Sequence, residues 1–543
     1  MSLAVYVFIA ASGLVLWGLL LAIRHRIRQL SLRVIRGPSG ALRVTGHYPQ
    51  IYNPSLGMEF LVNLLDYGRV ARISGVLGDT KLVVSDPVAC NTILVKEQDV
   101  FEETSWFLAV NNSVFGPGLL GTMGPRHRRQ RKLLNPVFSI KHMRSMMSIF
   151  TNITHELRNV LKAKTADGPQ EIDLMQWFSR LALELVAQGG MGYTFNSLDP
   201  HHDGNEFGRA IKEYLPTLGK VMVIRNVFPP VKRIVPAMIR TFIGRRIPWP
   251  ALSHLMHQTD VMHGNTKVIF DEKKALLDLG DSEMVSQIGE GKDVISILLK
   301  ANTAASAADR LPDDEILAQM STLLFAGTDT TSSALARIFH LLSERQDVQE
   351  RLRDELSAVP EAELGYDQLV NLPYLDAVCR ETLRLYPPVP IITRTCRSHF
   401  SLPLSVPITT TYGELLSSII IPKDTDVDIN ILGINRDPTI WGSDASEWKP
   451  ERWLADLPGS VEAARIPGIY SNTLTFLGGG RACIGFKFSQ LEMKVVLSQL
   501  IRAFRFRPSK NSEVIWRFGG ILTPSARGST AIGPTMPMLL ERV

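Results

Sequence analysis

Cysteine is scarce in this chain of 543 residues: only Cys90, Cys379, Cys396 and Cys483, scattered without paired spacing. That scarcity excludes a disulfide framework and argues for a reducing compartment, where a free thiolate persists. A large charge imbalance is missing as well. The formal net charge of +6 is too small for this length to suggest a nucleic-acid partner without a clustered patch, and it suits a membrane surface or an acidic protein better. No low-complexity linker divides the chain and no internal repeat is found, so one large domain is expected even though the length would allow two or three.

Charged side chains are absent from positions 3–23. As a helix, that run would be roughly 31 Å long, about the thickness of a bilayer's hydrocarbon core. Arg24, His25, Arg26, Arg28, Arg33 and Arg36 follow it and no Lys or Arg precedes it, so the positive-inside rule puts the bulk of the chain in the cytosol. A cleaved secretory peptide is the rival. It fails for want of a basic n-region, a short apolar core and a small-x-small cleavage site. The expected organisation is therefore a single-pass signal anchor over 1–23, in the endoplasmic reticulum membrane. A basic and Gly/Pro hinge follows over 24–45, stiffened by Gly37-Pro38-Ser39-Gly40, and then one catalytic domain over 46–543.

Apolar alternation marks β structure at 70–84 and 391–434, and 3.6-residue periodicity marks helices at 140–162, 172–188, 294–299, 312–356 and 372–386. The expected class is mostly α with small β-sheets. Polar, glycine-containing stretches at 279–292 and 304–310 read as surface loops.

The most informative residues are Phe476-Leu-Gly-Gly-Gly-Arg481-Ala-Cys483-Ile-Gly485. A cysteine in a glycine-rich loop offers a thiolate to a metal, and the arginine two residues before it offers a cation to a neighbouring anion. Glycine permits the close backbone course by which N–H groups reach the sulfur and lower its pKa. The five spaced positions arise by chance in a chain this long about once in ten thousand. The stretch resembles the cysteine-ligand loop of the cytochrome P-450 haem-thiolate monooxygenases. That resemblance implies the family's fold, haem b held by Cys483 as axial iron ligand, Arg481 at a haem propionate and Phe476 beside the cofactor. A thiolate ligand favours O–O cleavage.

Other motifs resemble the same family in the same order. Ala326-Gly327-Thr328-Asp329-Thr330-Thr331 interrupts a long helical pattern with poor helix formers, and Ser or Thr bonding back to the i−4 carbonyl bends helices. A local opening beside the haem is expected there. Splitting dioxygen consumes two protons, so the resemblance makes Thr330 the holder of a water and Asp329 the proton relay. Glu381 and Arg384, i and i+3 on one helical face, resemble with Arg452 of Pro450-Glu451-Arg452-Trp453 the family's Glu–Arg–Arg triad. A buried carboxylate between guanidinium groups implies a folding and haem-loading role. His127 and Arg131, one turn apart, and Arg394 after Pro387-Pro-Val-Pro390, are implied propionate partners. The family more often has Trp at the place of His127. Arg128, Arg129 and Lys132 form either a solvated face or a basic surface for an acidic flavoprotein.

The implied activity is insertion of one oxygen atom of O2 into a lipophilic small molecule by hydroxylation or epoxidation, with electrons from NADPH through a flavoprotein reductase and cytochrome b5 as an optional second donor. Membrane lipid is an expected partner and nucleic acid is not. Apolar Phe107, Val110, Phe115, Phe325, Val389, Ile392 and Leu522 are candidate substrate contacts by the same resemblance, or ordinary core. The chain looks most like fungal members, with a terpenoid or related secondary metabolite favoured as substrate. Two other readings stand beside this one: a haem-thiolate isomerase or dehydratase needing no reductase, and a non-catalytic haem or sterol carrier.

Overall fold

The computed structural model describes residue 27 and residues 29–201, 205–279, 292–361, 364–531 and 533–543. The expected anchor over 1–23 and most of the loop expected over 279–292 lie outside them. Among the described residues no helix is long and apolar enough to cross a membrane.

Thirteen helices carry the architecture: α1 (Ser105–Val114), α2 (Gly124–Leu134), α3 (Ile140–Lys164), α4 (Leu174–Val186), α5 (Glu206–Lys220), α6 (Phe228–Ile234), α7 (Ala237–Gly244), α8 (Pro250–Leu279), α9 (Val294–Ala304), α10 (Asp313–Glu344), α11 (Gln346–Ser357), α12 (Pro373–Leu385) and α13 (Phe486–Ala503). Strands β1 (Val70–Ser74), β2 (Thr80–Val84), β8 (Asp426–Asn430), β5 (Ile391–Cys396) and β3 (Phe101–Glu103) lie side by side in that order. Only the β2–β8 pair is parallel. Three smaller sheets pair β6 (Phe400–Thr409) with β7 (Leu415–Ile421), β10 (Val514–Phe518) with β11 (Leu522–Ala526), and β12 (Pro537–Arg542) with both β4 (Gln170–Asp173) and β9 (Phe504–Pro508). Mostly helical with small sheets is what the periodicity implied.

The centre of the molecule is α10. Its first turn carries Asp313, Asp314 and Glu315, where the positive end of the helix dipole stabilises carboxylates. From there it is buried on almost every side, against α4, α12 and α13. Phe339 meets Phe178 of α4 at 4.9 Å and Phe506 of β9 at 4.7 Å between ring centroids. Such aromatic pairs contribute on the order of 1 kcal/mol beyond the area they bury.

Several boundaries differ from the sequence reading. The run over 312–356 is two helices, broken where Arg345 leaves helical geometry at φ −111°, ψ 79°. Ile172 and Asp173 belong to β4, because strand β12 pairs with them, and Asp173 caps α4 by accepting the Met175 N–H at 3.1 Å. Helix α9 runs on through 300–304, and strands β9 to β12 add β structure beyond the two regions expected. The elbow expected over 24–45 is partly inside the packed body. Gln29 exchanges two hydrogen bonds with the Thr80 backbone, and Leu32 and Ile35 are buried in the core beside the first sheet.

Candidate functional site

The cysteine loop is held from behind by residues 94–98. A Cβ on Gly478 would lie 1.7 Å from the Pro467 carbonyl oxygen, and one on Gly479, at φ +71°, would lie 2.0 Å from that of Leu94. No larger residue fits either position, which is why the loop is glycine-rich. Gly480 N–H donates to Gln98 Oε1 at 3.0 Å, and Cys483 N–H donates to the Phe476 carbonyl at 2.9 Å, closing the turn. The Phe476 ring lies edge-on to Tyr470 at 5.5 Å.

Cys483 is the one accessible cysteine of the four. Desolvation by the surrounding protein pushes the thiol's pKa up, while the Gly485 N–H and the Arg131 guanidinium pull it back down. The loop was expected to lower this pKa on balance. Desolvation wins instead. A metal ion supplies the missing term, because a coordinating thiol loses its proton outright.

Three guanidinium groups, those of Arg131, Arg394 and Arg481, converge beside the loop. Burial, then Arg481, Arg131, Arg128 and Arg394, hold the pKa of His127 down at about 3, so its imidazole is neutral. Helix α2 presents His127 and Arg131 on one face, and Arg131 Nη1 donates to the Ala482 carbonyl at 2.5 Å. Arg481 donates to the carbonyls of Leu119 at 3.2 Å and Thr122 at 2.8 Å. Arg394 comes from β5 and is 4 % exposed. An accessible cysteine beside clustered cations fits an iron porphyrin, whose iron would take the thiolate and whose two propionates would meet the cations.

On the long helix, Thr330 Oγ1 donates to the Ala326 carbonyl at 2.7 Å, the back-bonding anticipated for this stretch. No opening follows from it: α10 is helical without interruption from 313 to 344. The bare side of Gly327 serves packing, since a Cβ there would lie 2.6 Å from Val186 Cγ2 of α4. Asp329 is half-buried, and desolvation raises its pKa to about 7 against the opposing charge of Lys212 on α5. The Lys212 pKa is itself lowered by burial and pulled back up by Asp173 and Asp329. A carboxyl group titrating near neutrality can take up and release protons at physiological pH.

Glu381 and Arg384 are fully buried and form a bidentate pair at 2.7 and 2.8 Å. Arg452 Nε lies 3.3 Å from Glu381 Oε1, and Trp453 Nε1 donates to Glu381 Oε2 at 3.0 Å. Arg384 also donates to the carbonyls of Asn435 and Ala445. One carboxylate thus organises α12 and the chain from 435 to 453. Trp453 completes its shell and was not singled out from sequence.

The basic run on α2 is largely neutralised. Arg128 pairs with Asp99 and Lys132 with Asp309, each at 2.9 Å. Arg126 and Arg129 both bind the buried Glu315 of α10. Among the apolar candidates, Phe115 stacks on Phe325 at 4.7 Å and Tyr214 meets Phe325 edge-on at 5.2 Å. Val110 is buried with Phe115 in the helical core. Phe107 is half-buried on α1. Leu522 N–H donates to the Pro388 carbonyl at 2.9 Å, beside Val389, and Leu522 packs with a different core cluster from the one flanking Ile392. Sequence reasoning also missed Glu102 and Glu103, which reach Arg481 and Arg394. Two adjacent acids in a short strand were their only local signal.

A family model described as cytochrome P450 (cytochrome P-450) matches residues 36–530. Cytochrome P-450 monooxygenase 212 of Postia placenta is 45 % identical over 527 residues, covering 96 % of both chains. Cytochrome P-450 monooxygenase 91 of the same fungus is 46 % identical over 528 residues, covering 95 % of this chain and 96 % of the relative. A ganoderic acid synthetase of Ganoderma lucidum is 38 % identical over 531 residues, again with 96 % of each chain covered.

Proposed function

This chain belongs to the cytochrome P-450 family, as a monooxygenase and hence an oxidoreductase, and we propose that it oxidises a terpenoid or related lipophilic metabolite with electrons from NADPH. The family works with haem, dioxygen and a reductase. When bound, the haem iron supplies dioxygen activation and the transfer of one oxygen atom to substrate. In this reading Cys483 would ligate the haem iron, Arg131, Arg394, Arg481 and neutral His127 would meet its propionates, and Phe476 would line the cofactor. Thr330 holds a water and Asp329 moves protons to it from Lys212's side of α5. The Glu381–Arg384–Arg452 cluster keeps the loop chain in register so that haem can load. The packed cluster of Phe115, Phe325 and Tyr214, with Phe325 one turn before Asp329 on α10, is apolar and supports a lipophilic substrate. The relative named as a ganoderic acid synthetase supports the terpenoid assignment.

The membrane reading, with a single N-terminal anchor and the catalytic body over 46–543 in the cytosol at the endoplasmic reticulum, has support in a described surface. Helices α6 and α7 expose Ile234 (79 %), Met238 (82 %) and Phe242 (57 %) among Arg233, Arg245 and Arg246. Lipid is the natural partner for an apolar face rimmed with cations. Cytochrome b5 is a second electron donor in the same proposal.

The observation that carries the function is the accessible Cys483 beside the guanidinium groups of Arg131, Arg394 and Arg481. Reduced protein exposed to carbon monoxide is expected to develop a band near 450 nm, and Cys483→Ala to lose it. NADPH with a reductase should then drive oxygen consumption. Persistence of the band without Cys483 overturns the ligand assignment, and a loaded protein that consumes no oxygen with any lipophilic substrate is a carrier instead.

A further inference from the structure

Two carboxylates stand where a site for an anionic cofactor would be expected to exclude them. Strand β3 carries Glu102 and Glu103 in succession. Across its antiparallel pairing with β5, Glu103 lies directly opposite Arg394, and the two form an ion pair at 2.9 Å with side chains 10 % and 4 % exposed. Glu102 Oε2 lies 3.1 Å from Arg481 Nη2, both side chains being 12 % exposed. The same stretch of chain supports the cysteine loop through Gln98 and Leu94. One segment, 94–103, therefore grips the loop by its backbone and by its cation.

If Arg394 and Arg481 served only to receive propionates, a glutamate on each would weaken that service, because like charges repel in a poorly hydrated interior. Removing the glutamates would leave Arg131, Arg394 and Arg481 clustered with no carboxylate among them; burial most of all, then Arg481, holds the pKa of Arg394 down, and Glu103 and Glu102 oppose them. The carboxylates hold two arginines in a fixed orientation and keep the local potential from becoming strongly positive. Negative charge near the iron favours its ferric over its ferrous form.

We propose that Glu102 and Glu103 are positioning residues for the haem-propionate arginines Arg481 and Arg394, and that their charge lowers the reduction potential of the bound iron. The proposal rests on the haem reading given above. It concerns residues that act through their arginines and touch no reacting atom.

The test is spectroelectrochemical titration of the holoenzyme, with Glu102→Gln, Glu103→Gln and the double variant beside wild type and a remote surface control, Glu513→Gln. Each single variant is expected to shift the ferric/ferrous equilibrium threefold to tenfold toward ferrous, tenfold being 59 mV for a one-electron couple. The double variant should shift further and the control not at all. Potentials equal to wild type, or moved the other way, with the 450 nm band intact, overturn the proposal. A wild type that shows no such band overturns the haem reading itself, so the two failures are distinguishable. Where a glutamine variant does not fold, the leucine variant at the same position is read instead, since it removes the same charge: a shift toward ferrous supports the proposal, and a wild-type potential overturns it.

Discussion

Asp329 shows how one residue's surroundings set its chemistry. Its pKa stands near 7 where an unperturbed aspartate has 3.8, because burial outweighs the pull of Lys212. The folded protein therefore holds this proton where the unfolded chain has lost it. The group's contribution to stability is fully present below about 3.8, and it is lost as pH rises through about 7. Asp329→Asn removes that dependence, so the variant should gain stability relative to wild type as pH climbs from 4 to 8, read from thermal inactivation rates. Turnover should move the opposite way. Loss of a positioned proton donor commonly costs about 10²-fold or more, and the ionisation near pH 7 should vanish from the turnover profile. Lys212→Met, which removes the opposing charge, should move that ionisation upward. An unchanged profile in both variants rules out Asp329 as the relay. Residues of this kind were legible in the sequence because their motifs are local: ten consecutive positions around Cys483, six around Thr330. Glu102 was not, since its partner Arg481 lies 379 positions away and nothing in the local pattern points to it.

Elements were legible where one face is apolar and obscure where tertiary contacts decide the outcome. Helices α3 and α12 fall within two residues of their periodic stretches. By contrast β9 and β11 (Phe-Arg-Phe-Arg-Pro and Leu-Thr-Pro-Ser-Ala) were not legible as strands, because a partner strand, not their own pattern, decides the outcome. The same dependence governs how α2 meets α10. Glu315, in the first turn of α10 and 2 % exposed, accepts Arg126 at 2.9 Å, Arg129 at 2.7 Å and Gln130 at 2.6 Å. From sequence it was only an acid at a helix start. Truncating it strands three donors at a buried junction, which in a fully buried pair costs 3–5 kcal/mol and here, with partly exposed arginines, about 2 to 3 kcal/mol. Glu315→Ala is expected to lose its 450 nm band several times faster than wild type at a fixed elevated temperature, with Glu315→Gln falling between them. Equal decay rates for all three would show that the junction is held by apolar packing alone.

At the scale of the whole molecule, polar ties and apolar exposure are distributed unevenly, and that asymmetry has a direction. The segment 221–247 is tied inward by polar contacts. Arg225 reaches Tyr48 and Asp426, and Lys232 donates to the Ala109 carbonyl at 2.9 Å and Asn112 Oδ1 at 2.6 Å. Phe228 meets Trp106 edge-on at 6.0 Å. Its outer face is left with Val223, Ile234, Met238, Ile239, Phe242 and Ile243 exposed. A soluble surface rarely leaves that much apolar area together without a partner. In the proposed membrane reading, the uncharged run over 3–23 and this face would meet the same bilayer. In full-length protein reconstituted into bilayer nanodiscs, a nitroxide attached through Met238→Cys should be more accessible to dissolved oxygen than to a water-soluble nickel complex. A label attached through Glu513→Cys, whose side chain is 63 % exposed, should show the reverse. Matching accessibilities at the two positions would mean that α7 stands in water and that its exposed apolar face has no lipid partner.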